Sequence, residues 1–165
     1  MFETINPRQT VLVTTRFEDN ILGKDILKDN VTAIDWHMPT SVDPPLYAIS
    51  LKKDQYSSEL IRKSKCFVVN FVGFEMADKV AKVGVQVYGK HRDKFRESGL
   101  KKEDADSIDC CRVAEALTWL ECTLVNEFET GSNSIFIGQV QRVYHNKHGK
   151  KLFHVERDKF TTTVD

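Results

Sequence analysis

Residues 30–50 read NVTAIDWHMPTSVDPPLYAIS, and this stretch decides the fold. It begins as a polar-aromatic strand, turns through residues 39–41 and breaks at the Pro44-Pro45 pair. A second strand then resumes at residues 46–50. Few soluble folds need a strand, a proline-fixed loop and another strand in such close succession, so the stretch predicts a compact β-rich unit.

The remainder of the chain indicates many short strands with a few helices between them. Strands are predicted at residues 10–15, 66–72, 113–128, 134–144 and 151–156, with Gly138 as a bulge or point of close approach. Residues 17–29 are predicted to be a polar hairpin loop. Short helices are predicted at residues 57–64 and 75–83, and a helical turn at 93–99. This order predicts a small, mainly antiparallel barrel with short helical insertions. The absence of GxGxxG and GxxxxGK[ST] disfavours a Rossmann domain and a P-loop NTPase.

Length and charge narrow the class of protein. A chain of 165 residues is typical of one domain, predicted over residues 1–165. The 24 basic and 24 acidic residues cancel, so the net charge provides no long-range attraction to nucleic acid or anionic membrane. No apolar run approaches the roughly 18 residues of a membrane span, and the first residues lack a signal-peptide layout. The sequence therefore predicts a cytoplasmic protein with no nucleic-acid or membrane partner.

The cysteine and histidine patterns do not indicate a metal site. None of the four cysteines forms a CxxC pair, and the five histidines lack metal-ligand spacing. Cys66 and Cys122 are interpreted as small core residues. The adjacent Cys110 and Cys111 are interpreted as free structural thiols, with a redox or metal-sensing pair as the open alternative.

Several ordered segments resemble the flavin reductase-like family, which includes the flavoredoxins. The first is the pattern Asn-x5-Trp-x2-Pro-x-Ser-x2-Pro-Pro-Leu-x3-Ser over residues 30–50. The others are PRQTVLVTT at 7–15, SLKKDQYSSELI at 50–61 with FVVN at 67–70, KHRDKF at 90–95 and GSNSIFIG at 131–138. The resemblance implies an antiparallel, Greek-key type split β-barrel that binds FMN. It also implies a homodimer with each FMN site at the subunit boundary.

The phosphate of FMN needs cations and hydroxyl groups. Ser57 and Ser58 lie at a predicted helix start, where free amides and the helix dipole favour an anion. Lys52, Lys53 and Lys94 supply positive charge, and Lys94 falls in the segment similar to the family's Asp-Lys-Phe loop. The alternative is that Ser57 only caps its helix and that the lysines are solvated.

The flavin ring needs an aromatic or apolar surface and backbone groups at its polar edge. By composition alone, Trp36 is more often a core residue than a flavin contact. The resemblance reverses this, since it implies that Asn30 and Trp36 contact the flavin. It further implies cofactor contacts from Thr32, Ala33, Ser50 and Leu51, from Asn133 where many relatives have histidine, and from Phe160.

The resemblance implies an NADH- or NADPH-dependent reductase in which the nicotinamide passes a hydride to bound FMN. Reduced flavin then reduces a second flavin or a ferric chelate. This step requires no acid-base residue, so no catalytic residue is predicted. One alternative is a flavoredoxin-like electron carrier that receives electrons from a partner protein, and a second is a flavin-free β-barrel binding module.

Overall fold

The computed structural model describes residues 2–86 and 89–164. The two ends of the predicted domain, Met1 and Asp165, therefore lie outside the described residues. The described residues form twelve strands: β1 (Arg8–Gln9), β2 (Val11–Ile21), β3 (Lys24–Ile34), β4 (His37–Ser41), β5 (Leu46–Lys52), β6 (Cys66–Phe71), β7 (Lys102–Asp104), β8 (Cys111–Val113), β9 (Thr118–Thr130), β10 (Asn133–His145), β11 (Phe153–Glu156) and β12 (Lys159–Thr161). Three α-helices lie between them: α1 (Tyr56–Ser64), α2 (Ala77–Ala81) and α3 (Lys94–Ser98). Among the described residues, no helix is long and apolar enough to cross a membrane.

The main sheet is antiparallel and has the strand order β3-β2-β6-β9-β10-β5-β4. Within it, β5 returns to lie beside β10 while β6, β9 and β10 are successive neighbours, which is Greek-key order. The edge strands β3 and β4 are joined by residues 35 and 36 alone. Because a residue spans at most about 3.6 Å, these edges must come together and the sheet closes into a barrel. The predicted barrel architecture is therefore confirmed.

Strand alternation explains why both faces of the sheet are buried. On β2, Val11 and Val13 join an inner cluster with Phe67, Val69 and Phe136, whereas Leu12 joins an outer cluster with Trp119. Successive strand residues point to opposite faces of the sheet, so a continuous apolar run contributes side chains to both clusters. The outer cluster also holds α2 and α3 against the barrel.

Residues 17–29 are not a loop, as predicted, but the ends of two long strands. Strands β2 and β3 continue to a two-residue turn at Leu22 and Gly23, where φ is 53° and 80°. Two successive positive φ values suit the right-handed twist of a tight hairpin. The residues are polar because this arm is partly solvated, and Arg16 pairs across it with Asp29 at 2.6 Å.

Three further boundaries differ from prediction. Residues 39–41 belong to edge strand β4 rather than to a turn. A proline is tolerated in an edge strand because the N–H group that it lacks would face no neighbouring strand. The predicted strand over 113–128 is two strands, since β8 ends at Val113 and β9 begins at Thr118. The predicted helix over 75–83 is a 3₁₀ turn (Phe74–Met76), α2 and a π-helical turn (Lys82–Gln86).

Gly138 and the cysteines agree with their interpretations. The β9–β10 register shifts next to Gly138, and a Cβ added there would lie 2.6 Å from the Phe67 ring. This confirms both a bulge and a close approach. All four cysteines are free and buried, and Cys66 and Cys122 lie in the two apolar clusters.

Candidate functional site

A large cavity, of about 820 Å³, opens between the barrel and the helical insertions. Its wall comes from β3 through Thr32 and Ala33, from the β5–α1 connection including Lys52, and from the start of α3 through Lys94. These segments are distant in sequence but are brought together because β3 ends beside the turn that follows β5. Four of the predicted site residues therefore share one cavity: Thr32, Ala33, Lys52 and Lys94.

Lys94 is the most unusual charged group in this cavity. It is 5% exposed, and its ammonium has no hydrogen-bond or ion-pair partner within residues 2–86 and 89–164. Burial lowers its pKa from 10.5 to about 8, and the nearby Lys28 adds to the decrease. Buried amines are normally paired with an acceptor or an anion. An anion bound in the cavity would therefore stabilise the charged form of Lys94.

Asn30, Ser57 and Ser58 form a buried polar layer that does not line this cavity. The Asn30 amide donates to Ser57 Oγ at 2.8 Å, and Ser58 Oγ donates to the Lys52 carbonyl at 2.8 Å. Ser57 does not cap α1, whose N-cap is Gln55. Asn30 Oδ1 is buried and accepts no hydrogen bond from any of the described residues. The layer therefore has one acceptor without a donor, on the strand that carries Thr32.

A smaller cavity of about 180 Å³ adjoins the large one and contains the ring-face residues predicted from the sequence. Trp36, Ser50, Leu51 and Asn133 line it, and Lys52 and Gln55 line both cavities. Asn133 donates to Ser50 Oγ at 3.1 Å. Trp36 is 40% exposed and therefore not a core residue. The Phe2 ring packs edge-on against it, with ring centroids 5.3 Å apart.

Phe160 lies apart from these residues in a third cavity of about 160 Å³. This cavity meets the large one at Ala33 and Gly84. Phe160 packs beside His154, which hydrogen-bonds to Asp35 at 2.7 Å. The structure thus places Phe160 near the large cavity without bringing it into the wall.

Several residues of the large cavity were not predicted. Gln55 donates to Thr32 Oγ1 at 2.8 Å, and Tyr56 donates to Asp19 at 2.9 Å, so both are held in place by the barrel. Their position shortly after Lys52 and Lys53 was the available signal. Val83 and Gly84 come from the π-helical turn, which has no local pattern that indicates a site, and Ser132 comes from the β9–β10 turn, next to the predicted Asn133.

The outer wall of the barrel beside Trp36 is apolar. Met38 pairs with Ala48, which pairs with Ile137, and Phe128 pairs with Ile135. Paired residues share a face, and this face is opposite the inner cluster of Tyr47, Ile49 and Phe136. Met38 and Phe128 are 57% and 49% exposed. We call this surface, formed by Met38, Ala48, Phe128, Ile135 and Ile137, the apolar wall.

Comparison with known proteins agrees with this geometry. An uncharacterised protein of Archaeoglobus fulgidus is 29% identical over 145 residues, covering 88% of this chain and 76% of its own. An FMN-binding protein from Thermus thermophilus matches with a TM-score of 0.85 at 21% identity, covering 98% of this chain and 89% of its own. The flavoredoxin of Desulfovibrio vulgaris matches with a TM-score of 0.82 at 20% identity, covering 96% and 88%. The fold is therefore the FMN-binding split barrel.

The model of the flavin reductase like domain matches residues 4–163, nearly the whole chain. That match spans every segment that lines the three cavities. The chain belongs to the flavin reductase-like family.

Proposed function

We propose that this protein binds FMN in the large cavity and acts as an NAD(P)H-dependent reductase of flavin or ferric chelates. The observation that carries the proposal is Lys94, a buried ammonium with no partner among the described residues, on the wall of a cavity of about 820 Å³. That volume lies within the range of small-molecule and cofactor sites. A terminal phosphate supplies the anion that Lys94 lacks, and family membership supports a flavin as its carrier.

The residues present fit the cofactor at two points. Lys94 would hold the phosphate, while Asn30, which is buried and does not line the cavity, would support the site through its hydrogen bond to Ser57. Trp36, with Ser50 and Asn133 near it, would face the ring. Bound FMN supplies the redox chemistry, while the chain orients it and excludes water from its phosphate. Ser57 and Ser58 would support the site from the buried polar layer, and Phe160 would border it through Ala33.

A second candidate is a flavoredoxin-like carrier that receives electrons from a partner protein. The position of Trp36 favours it, since Phe2 and Trp36 together form an aromatic pair beside the smaller cavity. Such a pair restricts how closely a nicotinamide can approach a ring in that cavity. The structural similarity to a flavoredoxin is compatible with this alternative.

We also propose that the protein is a homodimer formed through the apolar wall. Met38, Ala48 and Ile135 of the wall lie beside Trp36, which also lines the smaller cavity, so a second copy seated there would cover the rim of the cofactor site. Contiguous exposed apolar surface of this kind marks interaction sites. The cytoplasmic location expected from the sequence stays a prediction.

The experiment is an absorbance spectrum of the purified protein, followed by titration with FMN and with riboflavin. Uptake of FMN in preference to riboflavin is expected, and equal affinity would remove the phosphate argument. NADH or NADPH is then added without air, and rapid bleaching of the flavin band supports the reductase. Slow bleaching that an electron-transfer protein accelerates supports the carrier.

A further inference from the structure

Arg62, on α1, connects two turns that border the large cavity, although it lines none of the three cavities itself. Its Nη1 group donates to the Lys53 carbonyl at 2.9 Å, in the connection between β5 and α1. Its Nε and Nη2 groups donate to the Glu127 carboxylate on β9 at 2.7–3.1 Å. Nη2 also donates to Ser134 Oγ on β10 at 3.4 Å. One planar side chain therefore joins α1, the β5–α1 connection and the β9–β10 hairpin.

The β5–α1 connection is the part of the site that depends on this contact. Lys53 is held at both backbone groups, because its N–H donates to the Ser132 carbonyl at 3.2 Å while its carbonyl accepts from Arg62. Gln55, two residues on, hydrogen-bonds across to β3 at 2.8 Å. The side chains of this connection form one wall of the large cavity, and those of Lys52 and Gln55 line the smaller cavity as well. Arg62 thus fixes the backbone from which that wall projects.

The Arg62 guanidinium is itself held in one orientation. Hydrogen bonding to Arg62 lowers the pKa of Glu127, so the carboxylate stays charged at neutral pH and accepts from both Nε and Nη2. The guanidinium carbon lies 5.5 Å from the centre of the Phe136 ring. Because the donors of a guanidinium form a rigid planar fork, pairing on one side with Glu127 directs Nη1, on the other side, to the Lys53 carbonyl.

We propose that Arg62 is a positioning residue for the cofactor site, which acts through the Lys53 carbonyl to hold the β5–α1 connection against bound FMN. The inference deepens the proposed function and rests on it, because this connection borders the cavity assigned to FMN. The ion pair with Glu127 contributes by directing Nη1 to Lys53. Removing the charge of Glu127 while keeping an acceptor there should therefore matter less than removing the fork of Arg62.

The test compares variants of Arg62 and Glu127 by calorimetric titration with FMN and by visible circular dichroism of the bound flavin. Arg62→Met is expected to weaken FMN binding about tenfold, the scale of one hydrogen bond from a charged group. It should also change the dichroism of the flavin bands, which reports the geometry around the ring. Arg62→Lys keeps the charge but loses the fork, so the same losses are expected. Glu127→Gln keeps an oxygen acceptor for Arg62 and should match the wild type.

Lys79→Met is the matched control, because Lys79 forms an ion pair of similar exposure with Glu115. These two side chains are 38% and 22% exposed, against 35% and 24% for Arg62 and Glu127. The Lys79 ammonium donates to Glu115 at 2.8 Å, and Lys79 lines none of the three cavities. Denaturant unfolding of the flavin-free proteins measures how far each variant is destabilised. FMN affinity and dichroism should stay those of the wild type in Lys79→Met, even where stability falls.

Amide hydrogen exchange of the flavin-free protein tests the same contact without the cofactor. The amides of Lys53 and Gln55 donate to the carbonyls of Ser132 and Lys52. They should exchange about tenfold faster in Arg62→Met than in the wild type, because the connection then opens more often, and at the wild-type rate in Lys79→Met. Should Arg62→Met fail to fold, Arg62→Lys takes its place in every comparison.

Wild-type FMN affinity and dichroism in both Arg62 variants would overturn the proposal. An equal loss of affinity in Glu127→Gln or Lys79→Met would also overturn it, since the ion pair or general destabilisation would then account for the effect. Failure of the wild type to take up FMN would instead overturn the proposed function. The exchange measurement would still decide whether Arg62 holds the β5–α1 connection.

Discussion

Replacing Lys94 by methionine tests two effects of its charge: the free-energy cost of burying the ammonium and the contribution of the ammonium to FMN binding. The substitution keeps the length of the side chain and removes the ammonium from the large cavity. Burial lowers the pKa of Lys94 from 10.5 to about 8. A decrease of this size corresponds to roughly 3 kcal/mol spent on keeping the amine charged in the fold.

The sign of the effect on stability follows from proton binding. Below pH 8 the amine is charged in both the folded and the unfolded protein, so the full penalty applies. Between pH 8 and pH 10.5 the unfolded chain binds more protons, and stability rises with pH as the penalty is relieved. At pH 7 the flavin-free Lys94→Met variant should therefore be more stable than the wild type, by up to roughly 3 kcal/mol. The gain should fade above pH 8.

The effect on FMN affinity has the opposite direction. Loss of a hydrogen bond to a charged phosphate typically costs about 1.5–3 kcal/mol, so FMN should bind about ten- to a hundredfold more weakly. Wild-type affinity should fall as the pH rises above 8, because free Lys94 then loses its proton. The variant should show no such dependence, and riboflavin should bind both proteins equally.

The assay combines calorimetric titration with FMN and riboflavin at pH 7 and pH 9 with denaturant unfolding of the flavin-free protein. Lys53→Met is the matched control, since Lys53 lines the same cavity but is only half-buried. A Lys94→Met variant with the FMN affinity and pH profile of the wild type would refute the assignment of the phosphate to Lys94. A loss of flavin-free stability at pH 7 would refute the burial argument.

Three further predictions concern other parts of the site. The indole of Trp36 should be quenched by bound flavin, and Trp36→Phe should remove most of the fluorescence that returns on stripping FMN, because Trp119 is buried in the core; unchanged recovery would place Trp36 away from the ring. Ser57→Ala should destabilise the fold by roughly 1–3 kcal/mol, since it leaves the buried Asn30 amide without an acceptor; a neutral result in denaturant unfolding would contradict that hydrogen bond. Sedimentation of the wild type should give about twice the 19.0 kDa chain mass, and Met38→Asp, which puts a charge in the apolar wall, should shift it toward the monomer; a monomeric wild type that binds FMN tightly would contradict a shared site.

Local sequence patterns were sufficient for most elements and failed where the surroundings decided the conformation. Helix α1, strand β6 and the bulge at Gly138 follow from short-range signals. The long arm of β2 and β3 was missed because its polar residues resemble a loop, although its cross-strand pairs, such as Arg16 with Asp29, stabilise a hairpin. The strand at residues 37–41 was missed because Pro39 is acceptable only at an edge, and an edge is a property of the sheet.

For the site, residue types indicated the chemistry, but the closed barrel determined the arrangement. The sequence by itself identified a mainly β chain, and the resemblance of its segments indicated the family and the cofactor. That Lys94 is buried with no partner among the described residues, and that Ser57 is bonded to Asn30 and does not line the cavity, became visible only in the tertiary structure. The physical reason is that strand and helix signals act over a few residues, whereas burial and pairing depend on register and closure between segments as distant as residues 30, 57 and 94.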